Sequence, residues 1–315
     1  MWSTGTATQQ TSQTGRRTVA DPFFAGLTRA AATVILLALA GVAAFLCSEA
    51  WPAVTAPSDR IAGGDGLVAY LWPLVFGTLL AAALALAISA PLAIGVALFI
   101  SHFAPRRLAL LISYVVDLLA AVPSVVYGLW GIFYLAPKLS HIYSWLADHV
   151  GWLPLFAGPA SVTGRTILTA GVVLAVMTLP VISALSREVF LQTPRLQEEA
   201  ALALGATRWE MIRMAVLPHG RSGVVSATML GLGRALGETM AVALVLSASG
   251  LVTFNLISTD NPSTIAANIA LQFPEATGIQ VNTLVASGLA LFVITFVVNF
   301  AARGLVARSS KSEGS

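Results

Sequence analysis

Apolar runs of span length, separated by short polar stretches, leave this chain very few ways to fold. A run of ~20 apolar residues matches the hydrocarbon thickness of a bilayer, and inside that layer every backbone polar group must be satisfied within the protein. Composition agrees: 57% of the 315 residues are hydrophobic and 10% are charged, against about 25% charged in soluble domains. The expected fold class is therefore all-α, a polytopic membrane protein. One cysteine, Cys47, excludes an internal disulfide framework. The formal net charge of +3 could point to nucleic acid, but the cationic residues flank the apolar runs, where orientation in the membrane accounts for them more simply.

Residues 1–24 are rich in Ser, Thr, Gln and Gly and read as a flexible tail. A first span is expected over about 27–49, ended by Trp51-Pro52, with a Gly/Asp-rich loop to Gly66. This run is too long for a signal-peptide core and no small-residue cleavage site follows it, so it is expected to remain as an anchor. The run 67–100 exceeds one upright crossing, and a kink at Pro91 is expected to divide it. A third span covers about 108–135 and contains Asp117 and the stretch Pro123-Ser124-Val125-Val126-Tyr127-Gly128. Residues 137–165 read as a loop with Trp145 and Trp152 at an interface, and about 166–185 as a fourth span containing Thr178-Leu179-Pro180. A fifth span is expected at 222–246, a polar loop at 250–280, a sixth span at about 281–302, and a basic tail beyond.

Six spans put both termini on one side. Thirteen of the 17 Lys and Arg residues fall on that side, three (Arg60, Lys138, Arg165) fall opposite, and Arg234 lies inside a span. The positive-inside rule makes that side cytoplasmic.

Between the fourth and fifth spans lies a polar island, Glu198 to Pro218. Thr193-Pro194 provides a helix start with Thr193 as N-cap, and Gly205 provides a stop. Thr207 with Glu210 fits a capping box for a second helix, which Pro218 should interrupt after Leu217. An ordinary amphipathic surface helix would tolerate the same residues. Glu199-Ala200-Ala201, then Gly205, then Leu217-Pro218 resembles the EAA loop of ABC-importer permeases. That resemblance implies a coupling helix seated in a separate ATPase subunit, using Glu198, Glu199, Ala200, Ala201, Gly205, Leu217 and Pro218.

Arg234 and Glu238 sit midway along the fifth apolar run. A charge at that depth costs on the order of 3 kcal/mol. In a continuous helix the two are i and i+4 and share a face, in the less favourable order for an ion pair. Gly233 and Gly237 form G-x-x-x-G, and Gly223, Ala227, Gly231 and Ala235 continue a small-residue stripe. One reading is a packing seam stabilised by an Arg–Glu bridge. The other is a polar site on a translocation path, where the permanently charged arginine fork suits a tetrahedral oxyanion and the glutamate accepts from its protonated form. Pro123 opens the third span's ladder, so backbone N–H groups and Ser124 could face an anion, or the proline could simply kink a packed helix. Asp117 fits either helix pairing or the path. His102, His141, His149 and His219 fall outside the spans at irregular spacing, which suits loops rather than a metal site.

Arg234 to Val242, Arg-Ala-Leu-Gly-Glu-Thr-Met-Ala-Val, resembles the signature of phosphate-specific ABC permeases, and its Met-Ala-Val ending is similar to the PstC-type rather than the PstA-type subunit. Pro123 to Gly128 and Met177 to Pro180 resemble the same family, and the likeness covers about 67–303. The resemblance implies a type I (MetI-like) importer permease core at 67–303, preceded by a tail at 1–24 and a helix and outer loop at 25–66, and followed by a tail at 304–315. It implies a substrate pathway with Arg234, Glu238, Ser124 and Thr239, helix breaks at Pro123, Gly128 and Pro180, and residence in a bacterial inner membrane. The chain has no G-x-x-x-x-G-K-[ST] loop, so no catalytic activity and no cofactor of its own are expected, with ATP and Mg on partner subunits. The implied partners are a PstA-type permease, a PstB-type ATPase dimer and a PstS-type phosphate-binding protein. Alternating access driven by ATP would move inorganic phosphate inward. A permease for sulfate or molybdate, and an autonomous anion channel or secondary transporter, are the rival readings.

Overall fold

The computed structural model describes residues 20–312, which are predominantly helical. Residues 1–19 of the expected N-terminal tail and 313–315 of the C-terminal one lie outside the described residues. Residues 20–24, expected in the tail, already belong to the first helix. The chain forms two contact units, 1–47 and 48–315. Helix α1 (Ala20–Thr55) runs through the boundary between them. It does not stop at Trp51-Pro52: Pro52 removes one ladder bond in the last turns, and the Thr55 hydroxyl donates to the Trp51 carbonyl at 3.1 Å.

Within the second unit, α2 (Leu67–Leu98) passes unbroken through Pro73 and Pro91. The expected division at Pro91 is absent because α2 lies along α6 (Ile167–Leu191), with Ala81, Ala85, Ala93 and Ala97 fully buried, and close packing holds a helix that has lost single bonds. The ladder instead widens at Phe99–Phe103. Pro180 likewise leaves α6 continuous, buried among its neighbours. Thr166 caps α6 by accepting from the Thr169 N–H at 3.2 Å.

The expected third span is two pieces. Helix α3 (Arg106–Ala120) ends at residues 121–123, and α4 (Ser124–Trp130) continues through a wide turn, Gly131–Leu135, into α5 (Ala136–Val150). The two pieces are bent by 94°. Pro123 has no N–H to give the Leu119 carbonyl, and the Tyr127 hydroxyl donates to that carbonyl instead, at 2.7 Å. Much of the expected loop at 137–165 is therefore helix, with the Trp145 ring stacked 4.7 Å from that of His149.

Helices α7 (Arg195–Ala203) and α8 (Arg208–Met211) form the polar island. A wide turn, Ile212–Val216, leads from α8 straight into α9 (Leu217–Leu236), and α10 (Met240–Val245) follows after a break. The chain then folds inward. Residues 256–258 and 261–268 are buried, including α11 (Ile265–Gln272) through Asn268. The polar loop expected at 250–280 is thus largely core. Its pivot is Asn261, fully buried. Its Oδ1 accepts from the Ile167 N–H at 3.0 Å, and its amide donates to the carbonyls of Ser247 (3.1 Å) and Ser258 (3.0 Å). Thr78 of α2 accepts from the Ile265 N–H at 2.9 Å. Polar side chains here satisfy backbone groups that an apolar core would leave unpaired.

Helix α12 (Ile279–Ser312) closes the chain and extends well beyond the expected end of the sixth span, through most of the expected basic tail. The core is built where α2, α6, α9 and α10 meet, around Ile167, Leu174, Met177, Leu236 and Val245. Among the described residues, four helical stretches, 24–55, 67–103, 167–191 and 279–302, are long and apolar enough to cross a membrane, and the bent pair 106–120 and 124–150 passes the same test only when its two pieces are counted together.

Candidate functional site

The central region is built on two broken helices. Helix α9 ends at Leu236, and Gly237, Glu238 and Thr239 separate it from α10. Arg234 and Glu238 therefore do not share a continuous helix, and no ion pair joins them. Each charge is matched to its own helix end. Arg234 lies in the last turn of α9, at the negative end of that helix's dipole, and Glu238 accepts from the Ala241 N–H of α10 at 3.1 Å. The break makes two opposite charges tolerable without a bridge. Thr239 donates to the Gly237 carbonyl at 3.1 Å.

Helix α4 packs on α10 through Gly128. A methyl at Gly128 would lie 2.8 Å from Leu244 Cδ1 and 3.0 Å from Ala241 Cα, and one at Gly131 would lie 2.7 Å from Val245 Cγ2. Gly128 is thus a point of close approach and not a helix break. The order of these contacts makes α4 and α10 parallel, so both start at the same end. Ser124 opens α4, whose start carries no side-chain cap, and Glu238 and Thr239 precede α10. The sequence-predicted residues of two distant stretches thereby come to neighbouring helix starts. Arg234 is close enough to act electrostatically on the Tyr127 hydroxyl of α4.

Arg234 also lines an open cavity of about 1040 Å³ between α6, α9 and α12, with Val181, Ser226, Gly233, Phe296 and Asn299 among its walls. Arg234 is partly buried and has no hydrogen-bond or ion-pair partner among the described residues. Ser124, Glu238 and Thr239 are not part of this lining. Among the described residues the lining combines apolar walls with the Arg234 guanidinium and few other polar groups, a setting in which an anion gains strongly from the arginine fork.

The polar island is a separate site. Gly205, at φ 85°, follows α7 in the left-handed conformation, the Gly205 N–H reaches the Leu202 carbonyl at 3.0 Å, and the Ala206 N–H reaches that of Ala201 at 3.2 Å. This is a Schellman stop, which glycine permits. Thr193 does not cap α7; Pro194 takes that position, and the Thr193 hydroxyl is buried with no hydrogen-bond partner among the described residues. The capping box is present: Thr207 accepts from the Glu210 N–H at 3.3 Å while Glu210 accepts from the Thr207 N–H at 2.7 Å. These bonds lower the Glu210 pKa, the backbone N–H first and the hydroxyl second. Pro218 does not interrupt the chain. The wide turn before it, in which the Leu217 N–H bonds Ile212, removes the clash and the missing donor that proline would impose on an α-ladder. Ala201 is buried against Phe190 and Met211, Glu199, Ala200 and Pro218 are exposed, and Glu198 meets His102 Nε2 at 3.4 Å. Leu196, Leu204 and Trp209 stand exposed on the same island.

Two residues were invisible to sequence reasoning. Asn261 lay within the expected polar loop at 250–280. Arg165 looked like an outer-loop charge, yet its Nη2 donates to the Leu244 and Leu246 carbonyls at 3.3 and 3.4 Å, capping the end of α10.

A helical membrane protein with broken spans, an internal cation on an open cavity and a compact helical island between spans has the features of a transport permease. The model of the family of binding-protein-dependent transport system inner membrane components matches residues 89–311. Among curated relatives, the phosphate transport system permease protein PstC 2 of Mycobacterium tuberculosis is 47% identical over 288 residues, 88% of each chain. PstC of Mycobacterium leprae is 51% identical over 232 residues, 72% of each chain, and PstC of Haemophilus influenzae 37% over 309 residues, 93% of this chain and 95% of that one. A solved chain of the inward-facing MetNI methionine ABC transporter shares the fold at TM-score 0.53 and 18% identity, covering 75% of this chain and 96% of its own. A bacterial ABC transporter involved in alginate import does so at TM-score 0.52 and 17% identity, covering 91% and 99%. The chain belongs to the binding-protein-dependent transport system inner membrane component family, and within it to the PstC permeases.

Proposed function

We propose that this chain is the PstC-type permease subunit of an ATP-driven inorganic phosphate importer and forms half of the translocation pathway by alternating access. The observation that carries the reading is its extensive identity to PstC permeases, 47% over 88% of the chain in one case. Arg234, partnerless on an open cavity, supports an anionic substrate. In this reading Arg234 binds the anion, while Glu238, Ser124 and Thr239 contribute from the adjacent helix starts, where α4 lacks a side-chain cap.

The sixth crossing would be α9 with α10, joined to those four stretches and the bent pair as the fifth, and both termini would face the cytoplasm of a bacterial inner membrane. The core would be 67–303, with tails at 1–24 and 304–315 and the first helix and outer loop at 25–66. The island from Glu198 to Pro218 would be the coupling helix. Its exposed Leu196, Leu204 and Trp209 are apolar surface that suits a protein partner. The partners would be a PstA-type permease, a PstB-type ATPase dimer that holds ATP and Mg, and a PstS-type phosphate-binding protein. This chain would supply no catalysis.

The test is ATP-driven phosphate uptake in vesicles holding all four components, with sulfate and molybdate as competitors and with Arg234→Gln and Glu238→Gln as variants. Uptake should be lost in Arg234→Gln while assembly and ATPase activity persist, and neither competitor should displace phosphate. Wild-type uptake in Arg234→Gln, or equal competition by sulfate, would overturn the assignment.

A further inference from the structure

The cavity wall opposite Arg234 carries a second polar group without a partner. Within 284–302 of α12, the Ser287 and Thr295 hydroxyls donate to carbonyls of their own helix at 2.7 and 2.8 Å. Asn299 is partly buried, lines the cavity, and makes no hydrogen bond among the described residues. An amide facing apolar surroundings in a membrane is costly unless water, ligand or protein satisfies it. On α9, Ser226 lines the same cavity, with its hydroxyl donating to the Ser222 carbonyl at 2.9 Å and its oxygen lone pairs and surface left open.

The geometry gives the cavity a direction. The α9 lining begins at Val225, about 12 Å by helical rise from the start of α9 beside the polar island, and ends at Arg234, about 14 Å further on. The α12 lining comes from 296–302, about 26 Å from that helix's start. Along α9 the lining therefore runs from Val225, nearer the island, to Arg234, farther from it.

We propose that Asn299 is a further anion contact on the inward half of the path, receiving a hydrated oxyanion from Arg234 and passing it beside Ser226 toward the island side. The assignment rests on the phosphate-import reading above. Arg234 attracts the anion through a full charge, and a neutral amide holds it loosely enough to let it leave. A second cation at this position would trap it.

The test uses the complete four-component complex, in right-side-out vesicles for uptake and in inside-out vesicles for labelling. Maximal phosphate uptake in right-side-out vesicles should fall about tenfold in Asn299→Ala, the loss of one hydrogen bond to a charged group. It should fall further in Asn299→Asp, which keeps the size and replaces a donor with a negative charge. On a Cys47→Ser background, Asn299→Cys should react with a charged, impermeant thiol reagent from the cytoplasmic face, and inorganic phosphate should slow that reaction severalfold. Wild-type uptake in Asn299→Asp overturns the assignment. So does labelling that phosphate leaves unchanged and the partner permease alone blocks, which would make this face a subunit contact. Loss of uptake in Arg234→Gln with normal uptake in Asn299→Asp removes Asn299 only, whereas normal uptake in both removes the reading beneath it.

Discussion

Helix α9 presents a closed face and an open one within twenty residues, and a glycine stands on each. On the closed face, a methyl at Gly223 would lie 2.5 Å from Val189 Cγ2 and one at Gly231 2.6 Å from Ile182 Cδ1, while Ala227 and Ala235 are buried. This stripe lets α6 approach at backbone distance. On the open face, nothing lies within 4 Å of a methyl at Gly233, two residues from Gly231 and about 200° around the helix. The polar lining of α9, Ser226 and Arg234, shares that open face with Gly233. The G-x-x-x-G pair at 233 and 237 therefore makes no helix seam in this chain, and the other stripe does. Spacing identifies a small-residue face, but only the neighbouring helix decides which of two adjacent faces is packed.

The contrast between closed and open surroundings can be broken most directly with two asparagines. Asn261→Ala strands the Ile167 N–H and several carbonyls in the core, and should cost about 3 kcal/mol or more. Asn299→Ala strands nothing and should leave the melting temperature of the purified complex unchanged. Comparable losses in both would mean that Asn299 is packed after all. Next in size, Gly231→Leu should cost roughly 3 kcal/mol by overpacking against Ile182, seen as lost assembly on size exclusion. Normal assembly of that variant would remove the α6–α9 seam. Gly233→Leu is the matched control on the open face. Helix propensity favours the change by up to about 1 kcal/mol, so its thermal stability should hold or rise. Its uptake should nevertheless fall, because leucine projects into the space beside Arg234. A folded Gly233→Leu protein that transports at the wild-type rate would show that the cavity is not a path.

How much of this was legible depended on whether a property is local. Apolar runs gave the spans near 67–100, 166–185 and 281–302 because hydrophobicity acts residue by residue. Gly205 and the Thr207–Glu210 box were readable because a cap involves only neighbours in sequence. Prolines misled in one direction, toward breaks that are absent. Pro123 does accompany a break, but Pro91 and Pro180 sit in continuous helices, and Pro218 is absorbed by a wide turn one residue earlier. Whether a lost bond breaks a helix is decided by the packing around it, which is non-local. The same limit hid Asn261 and Arg165, whose partners lie 94 residues away at Ile167 and 79 away at Leu244. It also put Arg234 and Glu238 on one face, since the spacing was read as continuous helix through a stretch where the chain breaks.

The smallest effect concerns the short helix that feeds α9. Glu210 is held below its ordinary pKa by the Thr207 N–H and hydroxyl, so the folded cap favours the carboxylate. For a depressed folded value, the stabilisation is complete above the unfolded pKa, near 4.3, and disappears as pH falls through the folded value. Amide exchange over residues 208–211, corrected for the intrinsic pH dependence of exchange, should therefore show constant protection from neutral pH to about pH 5 and progressive fraying below it. Glu210→Gln keeps an acceptor for the Thr207 N–H but cannot titrate, so its protection should be flat across the same range. If the glutamine variant frays with the wild-type profile, another group controls the start of α8. If neither frays, the wide turn and α9 hold this segment without the cap, and the closed face of α9 extends its influence back into the island.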